Sequence, residues 1–217
     1  MKRVMCFLLA LVVFSALGLS VLAEVPPKRI ALTFDDGPHE TYTAEILAIL
    51  KEYGIKATFF VVGQNAKEYP ELVKQEAEAG HEIGNHTYTH PKLKKQNAES
   101  FSCELEKTRV VIEEITGVSP ILFRPPEGFR EGVIKTVAKE QGYHMVLWSV
   151  DPEDWRGLPA SRIENAIMKD VKDGSIILCH DYVVGKSYTP EALRRVIPQL
   201  LEDGYEFVTV SDLVRKR

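Results

Sequence analysis

The sequence predicts a single α/β domain built on a parallel sheet, and three observations carry that prediction. Seven apolar runs of strand length alternate with segments of helical period, the pattern of a parallel sheet with helical crossovers. Several runs are continuous Ile, Val, Leu and Phe rather than alternating, as strands covered on both faces require. The 217 residues are 45% hydrophobic and 27% charged, with no linker, internal repeat or low-complexity stretch. A chain of that size suits one core burying roughly 70% of the unfolded surface. The composition excludes collagen-like and disordered chains. A net charge of −4 argues against a nucleic-acid partner, which would meet a basic face.

The opening residues stand apart from the fold. Lys2 and Arg3 precede an uncharged apolar run over 4–22, and Val21-Leu22-Ala23 places compact residues before Glu24. This reads as a secretory signal peptide over 1–23. The alternative is an uncleaved membrane anchor, because the run is nearly long enough to span a bilayer. Either way the expected place of action is secreted or extracytoplasmic, with the folded domain over 24–217. Removal of 1–23 takes Lys2, Arg3 and Cys6 with it and moves the net charge from −4 to −6.

The elements follow in order. A strand over 29–34 opens the sheet, and 41–53 carries Ile46, Leu47, Ile49 and Leu50 at helical spacing. A second strand over 57–62 precedes a helix over 70–79 that stops at Gly80. A strand over 81–84 leads to a long helix over 98–116 ending at Gly117. Then come a strand over 121–123, a helix over 132–141 ending at Gly142, and a strand over 144–148. Helices over 161–172 and 190–202 flank a strand over 175–179, and a last strand over 206–208 precedes a short helix over 211–217. Closure into a barrel and an open doubly wound sheet both remain available to this order. Cys103 and Cys179 are expected as buried thiols that pack as small hydrophobes.

Five polar clusters follow five of the strands: Thr33-Phe34-Asp35-Asp36-Gly37-Pro38, His86-Thr87-Tyr88-Thr89-His90, Arg124-Pro125-Pro126-Glu127-Gly128, Asp151-Pro152-Glu153-Asp154-Trp155 and Leu178-Cys179-His180-Asp181. Parallel α/β folds build their sites at the carboxyl ends of strands, so a parallel sheet gathers all five on one rim. Singly, each has an ordinary reading. Asp-Gly-Pro is a turn signal, the histidines suit a surface loop, and Asp154 suits a helix cap. His86 and His90 have i, i+4 spacing, but Pro91 biases His90 away from helical dihedrals, so a loop presenting both rings is expected. Jointly the clusters form a complete kit. Two His and one carboxylate make a zinc-type ligand set with an open position, leaving a second carboxylate as base and His180 as acid. Phosphate-cradling glycines, Gly-x-Ser-x-Gly and His-Glu-x-x-His do not occur.

With these motifs, over about 29–213 and in family order, the sequence resembles the polysaccharide deacetylases, the NodB-homology domains of carbohydrate esterase family 4. The resemblance implies a distorted (β/α) barrel of about seven parallel strands. It implies removal of N-acetyl groups from GlcNAc-containing glycans such as peptidoglycan or chitin-like oligomers; no protein partner is expected. Asp36, His86 and His90 resemble the metal ligands, with zinc the default and other divalent ions such as Co2+ admitted. Asp35 resembles the general base acting on water at the metal, and Arg124 the residue that pairs with and orients that base. His180 resembles the general acid and Asp154 its partner. Trp155 and Leu178 resemble the walls of the acetyl-methyl pocket, and the backbone N–H of Glu127 a donor to the oxyanion. Glu127 itself departs from the pattern, because many members carry an aromatic residue there. Tyr88, Phe129, Tyr182 and Tyr188 suit either stacking on sugar faces or ordinary packing. The same machinery would serve an O-acetyl esterase, for example on xylan. A non-catalytic wall-binding or developmental protein is a third reading, although such chains are expected to lose ligand or acid–base residues, and this one keeps them.

Overall fold

The structure, a computed structural model, describes residues 27–215; the expected signal or anchor over 1–23 lies outside them. Seven strands, β1 (Lys28–Asp35), β2 (Thr58–Val61), β3 (Glu82–Asn85), β4 (Leu122–Phe123), β5 (His144–Met145), β6 (Ile176–His180) and β7 (Tyr205–Phe207), alternate with helices. The helices are α1 (Tyr42–Glu52), α2 (Gly63–Glu68), α3 (Pro70–Glu78), α4 (Ala98–Thr116), α5 (Val133–Glu140), α6 (Ala160–Asp170), α7 (Thr189–Glu202) and α8 (Val210–Arg215). Among the described residues no helix is long and apolar enough to cross a membrane.

Every strand pair is parallel, in the order β5-β4-β3-β2-β1-β6. Ala31 N–H donates to Ser175 O, whereas Ile30 C=O accepts from Val208 N–H. One trans peptide unit points these two groups in opposite directions, so β7 lies on the edge of β1 away from β6. The curl closes through the segment after β5. The expected strand over 144–148 keeps its ladder with β4 only at His144 and Met145. The chain then leaves β4, and Val150 bridges Ile177 of β6. A run that changes neighbours cannot hold a ladder in between, and this is where the barrel is distorted.

Alternation along β1 divides the interior from the helical layer. Ile30, Leu32 and Phe34 pack outward in one core with Phe59 of β2 and Ile163 and Leu193 of α6 and α7. Ala31 faces the other way, into a cluster with Phe60, Leu122, Val210 and Leu213, so α8 plugs the barrel at the amino ends of its strands. Thr33 and Asp35 share the face of Ala31, which puts the Asp35 side chain inside the barrel mouth. Full burial of a side chain such as Phe34 contributes about 1.5–3 kcal/mol.

Two helices are locally well determined. The Asn97 side chain accepts the Ser100 N–H at 2.8 Å and Ser100 Oγ accepts the Asn97 N–H at 3.1 Å, closing a capping box on α4. Helix α7 tolerates Pro198, whose missing N–H frees the Arg194 carbonyl; Tyr53 Oη donates to that carbonyl at 3.5 Å. The thiol expectation is corrected in part. Cys179 is buried, but Cys103 is an exposed residue of α4, and both are free. Helical spacing leaves Cys103 between the buried positions Phe101 and Leu105.

Candidate active site and metal centre

The rim at the carboxyl ends of the strands gathers all five clusters. Asp36 follows β1, His86 follows β3, Arg124 follows β4, Asp154 opens a short 3₁₀ turn before α6, and His180 ends β6. Asp35 and His180 are register partners on adjacent strands.

One ligand atom from each of Asp36, His86 and His90 lies within 4.8 Å of the others. Both Nε2 atoms sit 3.3 Å from Asp36 Oδ1, and that buried oxygen has no hydrogen-bond partner. His86 Nδ1 lies 2.7 Å from the Arg124 carbonyl, which only accepts, so Nδ1 carries a proton and Nε2 is the ring atom turned to Asp36. A buried orphan carboxylate oxygen between two imidazole nitrogens fits a divalent cation. Burial of Asp36 works against its charge, but His86, His180 and His90 outweigh it and hold the carboxyl below its usual range. Burial also pulls the His90 ring down, against the nearby Asp36. The His86–His90 segment is a loop, as expected from Pro91.

Asp35 sits against this group, its Oδ2 3.8 Å from His86 Nε2. Its Oδ1 accepts from Arg124 Nη1 at 2.7 Å, and the same Nη1 reaches Thr33 Oγ1 at 2.7 Å. The Arg124 guanidinium is wholly buried, 4.1 Å from the Phe60 ring and 5.7 Å from the Trp148 ring, and its Nη2 donates to Leu147 O at 3.2 Å. Burial pulls its proton affinity down while Asp35 opposes that pull.

On the opposite side His180 Nδ1 lies 2.7 Å from Asp154 Oδ1. The second Asp154 oxygen accepts the His180 N–H at 2.8 Å and the Thr189 hydroxyl at 2.7 Å. Burial would push the His180 ring down, but the Asp154 hydrogen bond and charge overcome it and raise the ring to about 9. Leu178 is buried, two residues before His180 and therefore on the same inward face of β6. Trp155 is 55% exposed. It lines a cleft of about 420 Å³ with Asp36, Asn65, His90, Tyr182 and Val184. Glu127 is exposed, with a left-handed φ of 54°. Of the four aromatics, Tyr182 faces this cleft, while Phe129 packs in a core, Tyr188 packs against another and Tyr88 lines a separate groove.

The backbone around the rim is unusual. Among the described residues the non-glycine positions with positive φ are Asp36, Thr87, His90, Glu127 and Glu153. All five belong to the motif loops, where strain of about 1–3 kcal/mol each is retained only if the surroundings enforce it. Those surroundings include residues to which the sequence reading assigned no role. Asp181, fully buried, accepts Gly37 N–H at 3.0 Å and the Thr43 hydroxyl at 2.6 Å. A Cβ at Gly37 would meet Asp181 Oδ2 at 2.0 Å. Asn65 Nδ2 donates to Asp36 O at 2.7 Å. Asp181 carried a signal, adjacency to His180; Asn65 and Thr189 carried none.

A family model described as polysaccharide deacetylase matches residues 23–146. A peptidoglycan-N-acetylglucosamine deacetylase of Bacillus cereus is 42% identical over 196 residues, 88% of this chain and 92% of that protein. A chitooligosaccharide deacetylase of Azorhizobium caulinodans is 36% identical over 203 residues, 88% of this chain and 97% of that protein. The crystal structure of a peptidoglycan N-acetylglucosamine deacetylase superposes with a TM-score of 0.84 at 40% identity, covering 87% of this chain and 88% of that one. The motif order, the parallel barrel and these matches together show that the chain belongs to the polysaccharide deacetylase family.

Proposed function

We propose that the protein is an extracytoplasmic, divalent-metal-dependent deacetylase that hydrolyses N-acetyl groups of GlcNAc-containing glycans, peptidoglycan foremost. The observation that carries this reading is the meeting of three parts on one rim: the Asp36–His86–His90 group, the Asp35–Arg124 pair and the His180–Asp154 pair. The domain is proposed to span 24–217, behind a signal or anchor over 1–23.

Asp36, His86 and His90 would hold the cation, zinc by default. When bound, it supplies Lewis-acid polarisation of the acyl carbonyl and lowers the pKa of water. Asp35 accepts the proton of the attacking water through Oδ2, because Oδ1 is committed to Arg124. Arg124 fixes that carboxylate from inside the barrel, and its bonds to Thr33 and Leu147 leave it one orientation. The developing oxyanion gains a hydrogen bond from the Glu127 N–H. His180, protonated beside Asp154, donates a proton from Nε2 to the leaving nitrogen, which must depart as an amine. Trp155 and Leu178 wall the acetyl methyl. The exposed Glu127 side chain adds negative charge where an aromatic wall would otherwise stand.

Acetate release tests this reading, using the purified protein, N-acetylglucosamine oligomers and peptidoglycan, with chelator and with added zinc. Zinc-restored release from either N-acetylated substrate is expected. Release from O-acetylated xylan alone would replace the reading with an esterase. Bound zinc without turnover on any of the three would replace it with a glycan-binding role.

A further inference from the structure

The loop that carries both histidines is held from outside the cleft. Its amide groups can be followed one by one. His86 N–H donates to Val61 O at 3.0 Å and Thr87 N–H to Asn85 Oδ1 at 2.9 Å. The next two N–H groups, of Tyr88 and Thr89, both donate to Glu104 Oε2, at 2.9 and 2.7 Å. The Thr89 hydroxyl donates to Glu104 Oε1 at 3.0 Å. On the carbonyl side, Gly63 and Gln64 at the start of α2 donate to Thr87 O and Tyr88 O at 2.9 and 3.0 Å. Glu104 stands on α4, the 19-residue helix anchored by its capping box.

The two rings are not held alike. His86 is oriented directly, through Nδ1 and the Arg124 carbonyl. Among the described residues no hydrogen bond holds His90 through Nδ1, and His90 sits at a left-handed φ of 50° before Pro91. The place from which its ring starts is therefore set by the adjoining backbone, whose carbonyls are held by the start of α2 and whose two N–H groups, of Tyr88 and Thr89, are held by the one carboxylate of Glu104.

We infer that Glu104 is a positioning residue for His90: by fixing residues 88–89 it holds the His90 ring beside Asp36, where a divalent cation binds. This inference rests on the metal-centre reading above. Glu104 is not itself a ligand, because its oxygens are taken by Tyr88 and Thr89. Hydrogen bonds to a carboxylate are roughly twice as strong as neutral ones, and groups that brace metal ligands typically change affinity 10–100-fold.

The test is zinc affinity of the full chain by chelator competition, with the visible spectrum of the Co2+-loaded protein as a second readout. Glu104→Ala is expected to bind zinc about 10-fold more weakly or worse and to alter the Co2+ spectrum. Glu104→Gln, which keeps one accepting oxygen, should fall between it and the native protein. Thr89→Val, which loses only the hydroxyl bond, should show a smaller loss. Glu106→Gln, on the same helix and paired with Arg109, should leave affinity unchanged. Circular dichroism checks the fold, and if Glu104→Ala fails to fold the other two variants carry the comparison. Native zinc affinity in both Glu104→Gln and Thr89→Val overturns the inference and leaves the metal centre standing. A native chain that binds neither zinc nor cobalt overturns both.

Discussion

Asp154→Asn removes one charge from the acid side of the site while keeping its shape. In the native protein the ring of His180 is raised to about 9 because Asp154 outweighs burial. Without the carboxylate, burial should pull the ring down toward its ordinary value of about 6.5, opposed by the charges of Asp35 and Asp36. At pH 8 a group titrating at about 9 is roughly 90% protonated, and one at about 6.5 roughly 3%. The acid form therefore falls by up to about 30-fold. A cation on Asp36 offsets some of the pull of Asp35 and Asp36 on the ring, so the native basic limb belongs between about 6.5 and 9. The assay is kcat/KM against pH on an N-acetylglucosamine oligomer, where the variant's basic limb should move to lower pH, toward about 6.5. Stability supplies a second readout. The folded ring binds its proton more tightly than the unfolded one, so its contribution is complete below about 6.5 and is lost as pH rises through about 9. That displacement corresponds to about 3 kcal/mol. The native melting temperature should decline across this window more steeply than that of the variant. Superimposable pH profiles for the two proteins would refute the coupling of His180 to Asp154.

Asp35→Asn should cut turnover by about 10²–10⁴-fold while zinc content by metal analysis stays native, whereas His86→Ala should lose the zinc itself. Gly37→Ala should destabilise the fold by about 1–3 kcal/mol, read by calorimetry, because the new methyl meets Asp181. Asp181 is raised to about 7 by burial, against the bonds it accepts from Thr43 and Gly37. The folded state therefore keeps a proton that the unfolded state releases near about 4, and stability falls as pH rises from about 4 to about 7. Asp181→Asn should flatten that slope in melting curves taken across the window.

Most of the barrel was legible because burial leaves its mark on sequence. Continuous apolar runs gave β1, β2 and β6, and glycine stops gave the ends of α3, α4 and α5. Helix α2 was not legible: it is six residues long and buries only Gly63 and Ala66, too little for a periodic signal. The end of β5 was misread because pairing with β4 and then with β6 leaves the same apolar trace as one unbroken strand. That the candidate site residues meet on one rim was legible because chemistry restricts residue type, and a parallel sheet brings carboxyl ends together whatever their separation in sequence. Their supports were not. An acidic residue such as Glu104 on a helix reads as a solvated side chain until the loop it grips is seen.

All seven strands point the same way, and this has a consequence for reach. The chain enters the barrel at Lys28, whose neighbour is Tyr205 at the start of β7. It returns to the same end, where Arg29 Nη1 donates to Asp212 O of α8 at 3.1 Å. Both ends of the described chain thus lie at the face opposite the rim that carries Asp36, His86 and His90. A tether attached at either end holds the barrel by its back, with the cleft facing outward.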